Sequence, residues 1–132
     1  MRDFLEEIAA CINAGIYSPA LASAMLVPDA CGAIEYPELR NGERYRTWFD
    51  AYLPEYSRAG FSGAVAWKLR NGMLHETALT FKDSVFERVV FSAPDGRRNI
   101  SDMNLFNLGE RAALNIYLPF FCNRMISACL RG

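Results

Sequence analysis

The chain has 132 residues, 52% of them apolar, a formal charge of -1 and a pI near 5.8. That length suits one domain spanning residues 1–132, able to bury roughly two-thirds of its unfolded surface without disulfides. A near-neutral chain has no global basic field to hold nucleic acid, so any RNA contact must be local.

The N-terminal Met1-Arg2-Asp3-Phe4-Leu5-Glu6-Glu7 is acidic and amphipathic where a signal peptide would be basic and then apolar. No apolar run reaches the roughly 18 residues that a membrane span needs, so the expectation is a cytoplasmic protein without membrane association. Phe4, Leu5, Ile8, Ala9 and Ile12 recur at helical spacing and predict a first helix over 3–14, ended by Gly15. Ser18 offers an N-cap hydroxyl and Pro19 a first helical position, so a second helix should follow and form an antiparallel hairpin with the first. Leu21, Ala24 and Met25 continue its apolar face until Pro28, which must kink or restart the helix. Asp29 and Glu35 lie beyond that break. Asp29 reads as compensation of the helix dipole, with pairing to Arg70 as the alternative.

Residues 36–42 predict a loop with Asn41 as the next cap. From Glu43 to Leu53, Tyr45, Trp48, Phe49 and Tyr52 follow the i, i+3, i+4, i+7 pattern of a buried or interfacial stripe, with base stacking as the rival reading. Arg40, Arg44 and Arg46 form the densest positive patch in the first half, and are the candidate phosphate track. Pro54 should close this helix. Val65, Ala66, Leu69 and Met73 then predict an amphipathic helix over 63–75, with Lys68, Asn71 and His75 sharing its polar face.

Beyond Glu76 the composition turns β-branched and aromatic. Strands are expected near 78–82 and 86–92, joined antiparallel, with a third near 97–100 after the turn Pro94-Asp95-Gly96. Residues 102–107 read as loop, and 112–117 as extended or leading into a last helix with Pro119 in its first turn. Phe120, Phe121, Met125, Ile126 and Leu130 should make that helix mostly buried. The expected class is therefore mainly α: a bundle of about five helices with a small antiparallel β hairpin or sheet inserted at about 77–101, before the last helix.

Cys11, Cys31, Cys122 and Cys129 contain no C-x-x-C pair and have only one histidine to join them. They read as small core residues in a reducing compartment, and neither a metal nor another cofactor is expected.

The only histidine lies in Leu69-Arg70-Asn71-Gly72-Met73-Leu74-His75-Glu76. A guanidinium fork, an amide and an imidazole titrating near neutrality fall within two turns there. Arg70-Asn71-x-x-x-His75 on a helix resembles the Arg-x4-6-His signature of the HEPN superfamily, in which a polar residue often follows the arginine. That resemblance implies a small helical bundle that dimerises. It also implies a metal-independent ribonuclease of bacterial conflict or toxin-antitoxin systems, or an inactive relative. Leu26-Val27-Pro28-Asp29-Ala30-Cys31-Gly32-Ala33-Ile34-Glu35, then Tyr45-Arg46-Thr47-Trp48-Phe49, then the Arg70 to His75 block are similar in order and spacing to a group of uncharacterised bacterial proteins. This second resemblance bears on layout only.

On the first resemblance, Arg70, Asn71 and His75 are catalytic candidates, and Arg40, Arg44 and Lys68 are substrate-binding candidates. Cleavage of RNA by its own 2'-hydroxyl needs a base and an acid on opposite sides of the phosphorus, and one chain has a single imidazole. A homodimer is therefore expected, with two His75 and two Arg70 in one cleft and a 2',3'-cyclic phosphate product. The rival expectation is a non-catalytic helical dimerisation or partner-binding module with a cognate protein partner. In that reading His75 is a helix C-terminal cation and Arg70 pairs with an acid on a neighbouring helix. A small-molecule pocket between helices and strands is a third.

Overall fold

A computed structural model of the chain describes residues 1–75, 88–94, 104–108 and 111–131. The class is mainly α, with a small β element before the last helix, as the sequence predicts. The helices are α1 (Arg2–Asn13), α2 (Tyr17–Ala24), α3 (Val27–Glu35), α4 (Asn41–Tyr52), α5 (Pro54–Arg58), α6 (Gly63–His75) and α7 (Leu118–Arg131). The strands are β1 (Arg88–Ser92), β2 (Asn104–Leu108) and β3 (Arg111–Tyr117), in the order β1-β3-β2.

Helix α4 lies at the centre because its aromatic stripe is core. Tyr45, Trp48 and Phe49 are fully buried, and Phe49 meets Phe61 and Phe121 at ring distances of 5.7 and 6.4 Å. This excludes those three rings from stacking bases. The other walls are Leu5 and Ile8 of α1, Ala20 and Ala24 of α2, Val65, Ala66 and Leu69 of α6, and Phe121, Cys122 and Met125 of α7.

Two glycines let neighbouring backbones approach α4. A Cβ on Gly32 of α3 would stand 2.9 Å from the Arg44 carbonyl oxygen, and one on Gly63 of α6 2.5 Å from the Arg46 carbonyl oxygen. Residues 44 and 46 lie roughly 160° apart around a helix, so α3 and α6 flank opposite sides of α4. Asp50 reinforces the second crossing. Its Oδ1 accepts from the Gly63 amide at 2.7 Å and from the Ser57 hydroxyl at 2.6 Å, capping α6 and tying α5 to α4. Ser62 adds a longer cap, accepting from the Val65 amide at 3.4 Å.

Several boundaries differ from the sequence reading. Gly15 does end α1, at φ 73°, but α2 starts at Tyr17, so Ser18 sits inside the first turn instead of capping it. The break at Pro28 is a restart, with the proline in the first turn of α3. Asn41 is the first helical residue of α4, and its Oδ1 accepts from Arg44 at 2.6 Å. Pro54 closes α4 and also opens α5, where its missing N–H costs nothing. In α7, Phe121 and Met125 are buried, but Phe120 is 53% and Leu130 67% exposed. Phe120 instead meets Tyr117 edge to face at 4.8 Å.

The sheet is the largest correction. β1 runs parallel to β3, pairing Val89 with Leu114 and Phe91 with Ile116, and β2 runs antiparallel to β3. The segment read as loop at 102–107 contains most of β2, and 112–117 is strand β3. The expected strand at 86–92 is matched from Arg88 onward, whereas those at 78–82 and 97–100 lie outside the described residues. No helix among the described residues is long and apolar enough to cross a membrane.

The close approaches fix a stability outcome. Glycine to alanine in a helix ordinarily stabilises by about 0.5–1 kcal/mol, but at Gly32 and Gly63 the added carbon meets backbone that cannot rotate away. Gly32→Ala and Gly63→Ala should each lower unfolding free energy by about 1–3 kcal/mol, read as a lower urea midpoint at unchanged slope.

Candidate functional site

The C-terminal half of α6 carries Arg70 and Asn71, and the core residues Ala66 and Leu69 set which way they face. Arg70 is held from several sides. Its Nε donates to Asp29 Oδ2 of α3 at 3.0 Å, and its Nη1 donates to Asn71 Oδ1 at 3.0 Å. Its guanidinium carbon lies 5.1 Å from the centre of the Trp67 ring, one turn back on the same helix. Arg70 and Asp29 side chains are 23% and 28% exposed, so the pair is shielded enough to hold one geometry yet open to an incoming group.

Tyr45 supports the cluster from beneath. Its ring lies 5.1 Å from that of Trp67, and its hydroxyl donates to the Met25 carbonyl at 2.7 Å, where α2 gives way to α3. Burial pushes this hydroxyl well above its usual range; the Asp29 carboxylate adds to the rise and Arg70 opposes it. A shallow cleft of 160 Å³ opens beside the cluster, lined by Ser23, Met25, Leu26, Arg70 and Met73 among others.

The pairing of Asp29 with Arg70 is the alternative that the sequence left open, and it coexists with Asp29 in the first turn of α3. His75 is the last residue of α6, and its side chain lies outside the described residues. Lys68 is exposed two residues before Arg70, roughly 160° around the helix from it. Arg40 precedes α4 and is exposed, and Arg44 lies on the flank of α4 that faces α3. The expected track of Arg40, Arg44 and Arg46 is thus split, with Arg44 on the flank that faces α3 and Arg46 on the flank that meets α6.

The arginine that does approach the cluster is Arg46. A Cβ on Gly42 would stand 3.2 Å from both Arg46 Nη1 and Trp67 Nε1, so the guanidinium and the indole edge meet over that glycine. Trp67 is the site member that the sequence reading does not mark, whereas Arg46, expected in the track with Arg40 and Arg44, stands instead beside Trp67. The available signal was an aromatic one helical turn before Arg70, together with a glycine one turn before Arg46.

No family model matches the chain, and neither curated proteins nor solved structures give a match.

Chemically, the cluster presents an oriented, partly neutralised guanidinium next to an amide. Among the described residues no group of three His, Cys, Asp or Glu side chains is placed to hold a metal ion. Two outcomes follow. A double-mutant cycle of Asp29→Asn and Arg70→Gln should return a coupling of about 1 kcal/mol, above that of most exposed pairs. For Tyr45, a raised folded-state value means that stability is fully present below the unfolded tyrosine value near 10 and is lost as pH rises above it. Alkaline titration followed at the phenolate absorbance should show a late tyrosine ionising together with unfolding, and Tyr45→Phe should remove that late step.

Proposed function

We propose that the chain is a metal-independent endoribonuclease acting at a homodimer cleft, with Arg70 and Asn71 engaging the scissile phosphate and His75 handling protons. The observation that carries the reading is the fixed orientation of Arg70 by Asp29, Asn71 and Trp67. A guanidinium held in place before substrate arrives stabilises charge on phosphorus without reorganising at the moment of reaction. The resemblance of Arg70-Asn71-x-x-x-His75 to the HEPN signature supplies the reaction class.

In this reading one His75 takes the 2'-hydroxyl proton as the oxygen attacks phosphorus. His75 of the second copy gives a proton to the departing 5'-oxygen, and a 2',3'-cyclic phosphate remains. Asp29 offsets the charge that Arg70 offers, so binding of the flanking phosphates falls to other cations. Arg46 stands nearest, and Lys68 is the exposed cation of α6. Arg40 and Arg44 would act only on RNA long enough to cross α4. The supply of positive charge is small, so affinity should weaken steeply between low and physiological salt.

The same Asp29 contact favours a second reading, in which Arg70 is an interhelical brace and the protein is a non-catalytic helical dimerisation or partner-binding module. The two separate in one experiment. Purified chain in EDTA should cleave single-stranded RNA to cyclic-phosphate ends. Arg70→Ala and His75→Ala should each lower the rate by at least roughly a hundredfold while the dimer persists in sedimentation. Cleavage undiminished by His75→Ala, or absent from the unaltered dimer, would leave the module.

A further inference from the structure

A larger cavity, of 420 Å³, opens on the other flank of α4, lined by Met1, Cys31, Ile34, Glu35, Trp48 and Cys129. It brings together two thiols from different helices, Cys31 of α3 and Cys129 of α7, that are nearly a hundred residues apart in sequence. Both are free, Cys31 being buried and Cys129 half-buried. Both thiols line this one cavity, close enough for Cys129 to perturb the Cys31 thiol. The wall also contains Trp48, whose ring is fully buried and whose Nε1 has no hydrogen-bond partner among the described residues. A shielded N–H without an acceptor is costly, which makes the cavity receptive to a small oxygen-bearing molecule.

We propose that Cys31 and Cys129 are a reversible dithiol–disulfide couple, oxidised by a hydroperoxide that enters this cavity. The roles of the two sulfurs follow from their surroundings. Burial first, then the neighbouring Cys129 side chain and the Glu35 carboxylate, push the Cys31 thiol well above the usual range, which disfavours it as the attacking thiolate. Cys129, the more exposed, attacks. Its sulfur displaces hydroxide from the peroxide as the O–O bond breaks, the hydroxide takes a proton to become water, and a sulfenic acid remains on Cys129. The Cys31 sulfur then attacks that sulfur. The S–O bond breaks, the hydroxyl leaves with the Cys31 thiol proton as a second water, and the S–S bond closes. Two thiols are oxidised by two electrons and the hydroperoxide is reduced by the same two. The inference does not depend on the Arg70 reading, which concerns the opposite flank of α4.

The test uses the unaltered full chain, treated with hydrogen peroxide as the probe, quenched by alkylation and weighed intact. The expected result is a chain that takes up two fewer alkyl groups than the untreated protein and has lost about 2 Da besides, both changes reversed by dithiothreitol. Combined trypsin and chymotrypsin digestion separates Cys11 from Cys31 and Cys122 from Cys129, and should yield a linked pair containing Cys31 and Cys129. Cys31→Ser should stop the reaction at a sulfenic acid on Cys129, captured by a cyclic 1,3-dione. Cys129→Ser should slow peroxide consumption roughly tenfold or more. Alkylatable Cys31 after oxidation, a bond to Cys11 or Cys122, or a bond between two chains would overturn the assignment.

Discussion

The crossing of α4 with α6 is the constraint on which the rest of the structure depends. Gly63 lets the two backbones touch at Arg46, and Asp50 fixes the first amide of α6 at that point. Once the N-terminal end is fixed, the direction of α6 is set. Leu69 must then face the core, and Arg70, one residue on, must emerge at its edge. The placement of the functional candidate is thus a consequence of a close packing contact about two turns earlier in the helix.

Asp29 completes the frame from the opposite side. Because Gly32 seats α3 against α4 near Arg44, the first turn of α3 is carried to where its carboxylate reaches Arg70. Tyr45 bonds the chain just before α3 through the Met25 carbonyl and packs on Trp67, so α3, α4 and α6 converge on one cluster. An arginine at such a junction is both a brace and an oriented cation. The two roles are compatible: a charge held by two acceptors loses strength toward a ligand and gains fixed geometry.

The helical half of this arrangement was legible in the sequence. Periodicity placed α1, α4 and α6 within a residue or two, because each buries a stripe against one core. The β element was not legible in its pairing. Turn chemistry around Pro94 suggested a local antiparallel hairpin, whereas β1 pairs in parallel with β3, a partner more than twenty residues further on that no local signal marks. Phe120 was misassigned for a related reason: the strand running directly into α7 brings Tyr117 against its ring and turns that ring out of the core. At the site, the motif residues stood out and Arg46 was marked only as one of a basic patch, but its contact with Trp67 was not legible, since it is made across two helices and depends on Gly42 having no side chain.

The central claim is that Arg70, oriented by Asp29, is the group that meets a phosphodiester. The most direct measurement is nitrogen-15 NMR of the arginine Nε–H groups during titration with a short oligoribonucleotide methylated at its 2'-oxygens, which binds but cannot cleave. The account predicts an Arg70 Nε–H that exchanges slowly in the free protein, because Asp29 accepts from it, and that shifts in proportion to occupancy. An Arg70 resonance that stays in place while other arginines respond would contradict it.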